Sequence, residues 1–222
     1  MNFKAVLFDM DGVLVDSEPG YNRANREFFR SLGLPFTQKE ITATTGSSNT
    51  VIASKILEWY PDLGVSHEEL SRRYTEGIFR ALKSTVADLI PGTYRWIRSL
   101  SQRGVKLAIG SSSTAPMVMY VADTFGLTPL MDAIVTCEDV TRGKPYPDIF
   151  LTCSRRLEVD PAQALVVEDS KNGILAAAAA GCPCAAFTGT NRYGIDLSAA
   201  PLSFPAFDGE NFLRLFGAPL SE

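Results

Sequence analysis

From Pro91-Gly92 onward the chain alternates short apolar runs with segments of helical spacing, a rhythm that few folds accept. Helical patterns cover Thr93–Gln102, Ala115–Thr124, Pro147–Leu157 and Lys171–Ala180. Strand candidates lie between and after them at Val105–Ile109, Ala133–Val135, Ala164–Val167 and Cys184–Phe187. Strands joined each time through a helix pair in parallel, because the chain must cross back over the sheet before running the same way again. The fold class is therefore α/β, a parallel sheet with helices on both faces. A further apolar run, Val6-Leu7-Phe8, stands near the N-terminus. It is too short to be a domain alone and is predicted to join the later sheet.

Residues from about 17 to 86 follow another pattern. Tyr21, Ala24, Phe28, Phe29 and Leu32 fall at helical spacing and stop at Gly33. Thr37 with Glu40, and Ser66 with Glu69, have capping-box spacing, and Ser47 or Ser48 can cap the run Val51, Ile52, Ile56, Leu57. The expected organisation is thus a core of residues 1–15 and 88–222, with residues 16–87 inserted after strand one as a helical cap, hinged near 14–17 and 87–91. Ala176–Ala180, followed by Gly181, reads as a tightly packed helix, while the tail from Leu202 to Phe216 carries no clear period.

A chain of 222 residues with 45% hydrophobic content can bury its own core. Its net charge of -4 comes from 25 acidic and 21 basic residues that are intermixed, with no basic run to track a nucleic-acid backbone. No apolar stretch is long enough to span a bilayer, and the chain enters its first strand within a few residues. The expectation is a cytoplasmic monomer with no nucleic-acid or membrane partner. Cys137, Cys153, Cys182 and Cys184, with the single His67, make a poor zinc set and read as reduced, mostly buried thiols. One histidine also disfavours Ser-His-Asp and Cys-His mechanisms, and His67, just after Ser66, reads as a surface residue of a helix start.

In a parallel α/β sheet, ligands bind beyond the carboxyl ends of the strands, so the residues there are the informative ones. The first strand ends in Asp9-Met10-Asp11-Gly12. If the strand runs on, Asp9 and Asp11 point the same way and crowd one small volume, which a divalent cation and a proton would relieve. A solvated acidic turn would use the same residue types. The second strand ends in Gly110-Ser111-Ser112-Ser113-Thr114, either a phosphate cradle or plain helix capping. Lys144 follows in Gly143-Lys144-Pro145-Tyr146-Pro147-Asp148, and Glu168-Asp169-Ser170 close the fourth strand. Their order at successive strand ends supplies the parts of phosphoryl transfer. Asp9 would be the nucleophile and Asp11 the proton carrier; Ser111, Ser112 and Lys144 would bind the phosphoryl oxygens, and Asp169 with Glu168 would hold Mg2+.

Together these segments resemble the haloacid dehalogenase superfamily, in its β-phosphoglucomutase-like branch. Asp9-Met10-Asp11-Gly12-Val13-Leu14-Val15-Asp16-Ser17-Glu18 is similar to the first motif of that branch, Ser111 to the second, Lys144 in Gly-Lys-Pro-x-Pro-Asp to the third, and Glu168-Asp169-Ser170 with Gly173 to the fourth. The resemblance implies a Rossmann-like core with an α-helical cap, an aspartyl-phosphate intermediate, and Mg2+ held by Asp9, the backbone carbonyl of Asp11 and Asp169. Dehalogenase members lack the second aspartate, so Asp11 argues against that chemistry here, and the expected partner is a small-molecule phosphate ester.

Three departures from the sugar-phosphate mutases of this branch point to a phosphatase. Those mutases carry an Arg after the Gly-x-x turn of the cap, where this chain has Gly46-Ser47-Ser48-Asn49, and a Lys where this chain has Thr114. They also carry a His early in the first cap helix, where Gly20-Tyr21 stands here. Ser47, Asn49 and a basic residue of the last cap helix, Arg72 or Arg73, are the candidate substrate contacts in the cap. The expected activity is a Mg2+-dependent phosphatase of small organic phosphates, sugar phosphates first, with a mutase as the alternative. A non-enzymatic phospho-switch similar to response-regulator receivers is the reading from another class, and it has no use for Asp11 or for a helical cap.

Overall fold

The computed structural model describes residues 3–37, 40, 47, 49–85, 88–191 and 194–220. The described strands form one six-stranded sheet in the order β3-β2-β1-β4-β5-β6, made of β1 Ala5–Phe8, β2 Lys106–Gly110, β3 Ala133–Val135, β4 Ala164–Glu168, β5 Cys184–Phe187 and β6 Leu202–Phe204. Every neighbouring pair is parallel. β1 and β4 are buried along their whole length, which is why Ala5-Val6-Leu7-Phe8 and Ala164-Leu165-Val166-Val167 are continuous apolar runs rather than alternating ones. The short N-terminal run therefore occupies the middle of the sheet, hydrogen-bonded to β2 on one side and β4 on the other.

The chain divides into two compact units, Met1–Asp16 with Asp88–Glu222, and Ser17–Ala87. The second unit holds α1 Glu18–Ser31, α2 Asn49–Trp59 and α3 His67–Thr85. α3 packs on both α1 and α2. Ala24 and Phe29, Ile52 and Ile56, and Leu70 and Ile78 are buried within it. One polar pair sits among them: the Tyr74 hydroxyl donates to Asn25 Oδ1 at 2.6 Å, and both residues are buried. The capping spacings read from the sequence are used, since Glu40 accepts the Thr37 N–H at 2.8 Å and Ser66 Oγ accepts the Glu69 N–H at 3.2 Å. Gly46 and Ser48 lie outside the described residues. His67 opens α3 on the surface, its Nε2 3.0 Å from Ser54 Oγ.

In the first unit the helices are α4 Thr93–Gln102, α5 Ala115–Thr124, α6 Asp148–Leu157, α7 Lys171–Ala180 and α8 Gly209–Phe216. The tail that showed no period in the sequence supplies β6 and α8. Their side chains close around Trp96 of α4, which stacks on Phe204 at 5.1 Å and meets Phe212 edge-on at 5.3 Å. Cys153, Cys182 and Cys184 are buried free thiols and Cys137 is half-buried. Among the described residues no helix is long and apolar enough to cross a membrane.

Candidate active site

Phe8 is in register with Ile109 of β2 and with Val167 of β4. Asp9, Gly110 and Glu168, each one residue further along, therefore stand level at the carboxyl edge of the sheet. The strand order reverses between β1 and β4, and it is there that diverging loops leave a crevice.

The path beyond Asp9 differs from the expected continuation of the strand. β1 stops at Phe8, so strand alternation does not set the direction of Asp11; a tight turn does. Leu14 and Val15 donate their N–H groups to the Met10 carbonyl at 2.9 and 3.1 Å, and Gly12 donates to the Val15 carbonyl at 2.8 Å. Gly12 has φ +83°, and a Cβ built on it would stand 2.0 Å from Asp169 Oδ2. Only glycine both turns the chain here and lets the Asp169 carboxylate come this close.

Lys144 enters from the loop between β3 and α6. Its Nζ donates to Asp9 Oδ1 and to Glu168 Oε1, each at 2.6 Å, and its side chain is only 3% exposed. Glu168 is wholly buried, and its second oxygen accepts from the Asp169 N–H at 2.9 Å, the Ser170 N–H at 2.8 Å and the Ser170 hydroxyl at 2.9 Å. The side chain thus joins Lys144 to the N-terminus of α7. A Cβ on Gly173 would lie 1.7 Å from Glu168 Oε1, so the helix comes close enough only because that position has no side chain.

The electrostatics follow from crowding. Burial pushes the Asp9 carboxyl up to about 7, with Lys144 opposing and Glu168 and Asp11 adding to the rise. Asp169 is raised well above the carboxylate range by burial, with the charges of Glu168 and Asp9 behind it. Burial alone would lower Lys144, but Asp9 and Glu168 outweigh it and hold the ammonium above its ordinary value. In both carboxyl groups burial is the largest cause of the rise, and the neighbouring acids add to it. Ligand oxygens of Asp9, Glu168 and Asp169 lie within 4.8 Å of one another. Hard oxygen donors around excess negative charge suit Mg2+, which would reverse the upward pressure on these carboxyl groups.

Ser111 is buried at the end of β2, where its N–H donates to the Val135 carbonyl at 3.0 Å and its Oγ accepts the Ser113 N–H at 3.0 Å. Ser112 lies between them, half-buried. The Ser113 hydroxyl donates to Asp11 Oδ2 at 2.8 Å. Sequence reasoning passed over Ser113 as a site residue although it stands in the same serine run. It also passed over Thr190, whose hydroxyl donates to the Gly12 carbonyl at 2.8 Å. The strand-end rule that selected Lys144 and Asp169 would have found Thr190 too, just past β5.

The three candidates of the second unit are engaged locally. Ser47 Oγ accepts from Lys55 Nζ at 3.2 Å, Asn49 Nδ2 donates to Thr75 Oγ1 at 3.1 Å, and Arg73 pairs with Glu69 at 2.6 Å on the exposed side of α3. Arg72 pairs with the same glutamate at 2.9 Å. None of these contacts gathers Ser47, Asn49 and Arg73 into one cluster.

Fold and sheet edge together define an α/β enzyme. The family model for haloacid dehalogenase-like hydrolases matches residues 3–181, and the chain belongs to that family. Hexitol phosphatase B of Escherichia coli (strain K12) is 31% identical over 177 residues, 79% of this chain and 79% of the relative. A fructose-1-phosphate phosphatase of the same organism is 33% identical over 179 residues, covering 81% and 93%. The crystal structure of β-phosphoglucomutase from Clostridium difficile shares the fold with a TM-score of 0.84 over 97% of each chain, at 22% identity.

Proposed function

We propose that this hydrolase is a Mg2+-dependent phosphatase of small organic phosphates, sugar phosphates first among them, and that it works through an aspartyl-phosphate. The observation that carries the reading is the double contact of Lys144 with Asp9 and Glu168 at 2.6 Å each. A buried ammonium locked against a buried carboxylate at the sheet edge offers one phosphoryl group both an attacking oxygen and a counter-charge. The two phosphatases named above support the substrate class.

An Asp9 oxygen attacks phosphorus, and the bond from phosphorus to the ester oxygen breaks as the acyl phosphate forms. Asp11 gives its proton to the departing alkoxide. Water then attacks the same phosphorus and loses its proton to Asp11, and the acyl-phosphate bond breaks to free Asp9 and inorganic phosphate. Ser111, Ser112 and Lys144 hold the phosphoryl oxygens. Asp9, Asp169 and the Asp11 backbone carbonyl would hold Mg2+, which shields the negative substrate from the nucleophile. Glu168 belongs to the same carboxylate trio, but its first role is to fix Lys144. We further propose residues 16–87 as the cap domain, with Ser47, Asn49 and Arg73 as its candidate substrate contacts.

The test is phosphate release from a panel of phosphate esters in the presence of Mg2+. β-Glucose 1-phosphate with glucose 1,6-bisphosphate is run beside it and assayed for glucose 6-phosphate. Release without isomerisation, abolished in Asp9→Asn, is expected. Formation of glucose 6-phosphate with little free phosphate would make the enzyme a mutase, and a stable phosphoaspartate without turnover would make it a switch.

A further inference from the structure

Thr190 lies beyond β5, a strand end to which none of the proposed chemistry is assigned. Its segment is pinned on both sides. Thr188 donates its N–H to the Phe204 carbonyl of β6 at 2.9 Å, and Asn191 holds Ile195 through two bonds, accepting the Ile195 N–H at 2.8 Å and donating to its carbonyl at 2.9 Å. Between these anchors the Thr190 side chain is buried, and its hydroxyl donates to the Gly12 carbonyl at 2.8 Å while standing 3.5 Å from Asp169 Oδ2. The shorter distance is a full hydrogen bond and the longer one is a wall contact. On its other flank the Asp169 carboxylate presses on Gly12, so closely that a Cβ there would overlap it. Asp169 therefore sits in a slot whose two sides, the Gly12 turn and the Thr190 hydroxyl, are fastened to each other.

We infer that Thr190 is a positioning residue for the metal site: by clamping the Gly12 turn it holds the Asp169 carboxylate in the orientation that binds Mg2+. The inference rests on the Mg2+ part of the proposed function, not on the identity of the substrate. Groups that orient a metal ligand without touching the metal typically change affinity by about 10- to 100-fold when removed. Thr190→Val keeps the shape and removes the donor, whereas Thr190→Ser keeps the donor.

The experiment is calorimetric titration of the purified full chain with magnesium chloride, after circular dichroism has shown each variant to be folded; Thr190→Ala replaces Thr190→Val if the valine variant is not. Thr190→Val should bind Mg2+ at least about tenfold more weakly than wild type, and Thr190→Ser within about threefold of it. The Mg2+ concentration for half-maximal phosphate release should rise in the same proportion, with kcat recovering at saturating Mg2+. A purely structural role would instead lower the melting temperature in EDTA and leave the Mg2+ affinity alone. Wild-type affinity in Thr190→Val, equal losses in Thr190→Val and Thr190→Ser, or a wild type that binds no Mg2+ would each overturn the inference. Mg2+ binding that responds to Thr190 in a protein that releases phosphate from no ester leaves it standing and removes the phosphatase reading.

Discussion

Replacing Gly173 by alanine is ordinarily a favourable change near the start of a helix, worth about 1 kcal/mol from backbone entropy and helix propensity. In this protein it should be damaging. The new Cβ would lie 1.7 Å from Oε1, 1.9 Å from Cδ and 2.4 Å from Oε2 of Glu168, well inside van der Waals contact. Glu168 is wholly buried, so no move into solvent relieves the overlap while keeping its bonds. If its side chain swings away, Lys144 loses one of its two carboxylates, and the N–H groups of Asp169 and Ser170 lose their acceptor. Breaking a buried ion pair of this kind costs about 4 kcal/mol. Subtracting about 1 kcal/mol for helix propensity leaves a net loss of about 3 kcal/mol. For a chain of this size that corresponds to a melting temperature lower by about 6–12 °C. Trp96 is fully buried beside α8 in the unit that contains α7, so its fluorescence reports the relevant transition. A Trp59→Phe background removes the other tryptophan, which belongs to the second unit. Gly173→Ala melting at or above its parent would refute the reasoning, because it would mean that the Glu168 clamp tolerates displacement at no cost.

Ser113→Ala removes the hydroxyl that donates to Asp11. Turnover of alkyl phosphates should fall about tenfold, the equivalent of one hydrogen bond, while p-nitrophenyl phosphate, whose leaving group needs no proton, should be hydrolysed at close to the wild-type rate. Equal losses on both substrates would count against a role for Ser113 in holding Asp11. In EDTA, Asp9 should titrate at about 7 in the folded protein against its ordinary 3.8 in the unfolded chain. The folded state then binds the extra proton, so the stability that Asp9 contributes is present below its unfolded value and is lost as pH rises through the folded one. Measured as melting temperature relative to Asp9→Asn, wild type should decline between about pH 4 and 7, and Mg2+ should remove the slope; a level difference in EDTA would refute it. Tyr74→Phe strips Asn25 Oδ1 of its buried donor, and the second unit should lose about 1–3 kcal/mol, read by circular dichroism in urea. Unchanged stability would show that Asn25 finds another partner.

Most helices and strands of the first unit were legible in the sequence, because hydrophobic period is a local signal. Thr93–Gln102, Ala115–Thr124, Ala133–Val135, Lys171–Ala180 and Cys184–Phe187 stand where the pattern put them. The tail did not declare itself. Leu202–Phe204 is too short to show a period, and the apolar face of α8 makes sense only against Trp96, more than a hundred residues earlier in the chain.

The site divides along the same line. By itself the sequence determined the chemical types at the strand ends, two aspartates with a glycine, a serine run, a lysine between prolines and an acid pair, because strand ends in a parallel sheet share one edge whatever the details of packing. Only the tertiary structure decided how they join. Asp9 and Lys144 meet across 135 positions through the register of β1 with its neighbours and the loop that returns from β3. The turn at Gly12, not strand alternation, sets the path to Asp11, and Ser113 and Thr190 acquire their partners only once β2 and β5 lie on either side of that turn. Period and residue type are properties of neighbouring residues, and a sequence displays them. A hydrogen bond of 2.6–2.8 Å depends on atoms brought together from opposite ends of the chain, and only the folded sheet brings them together.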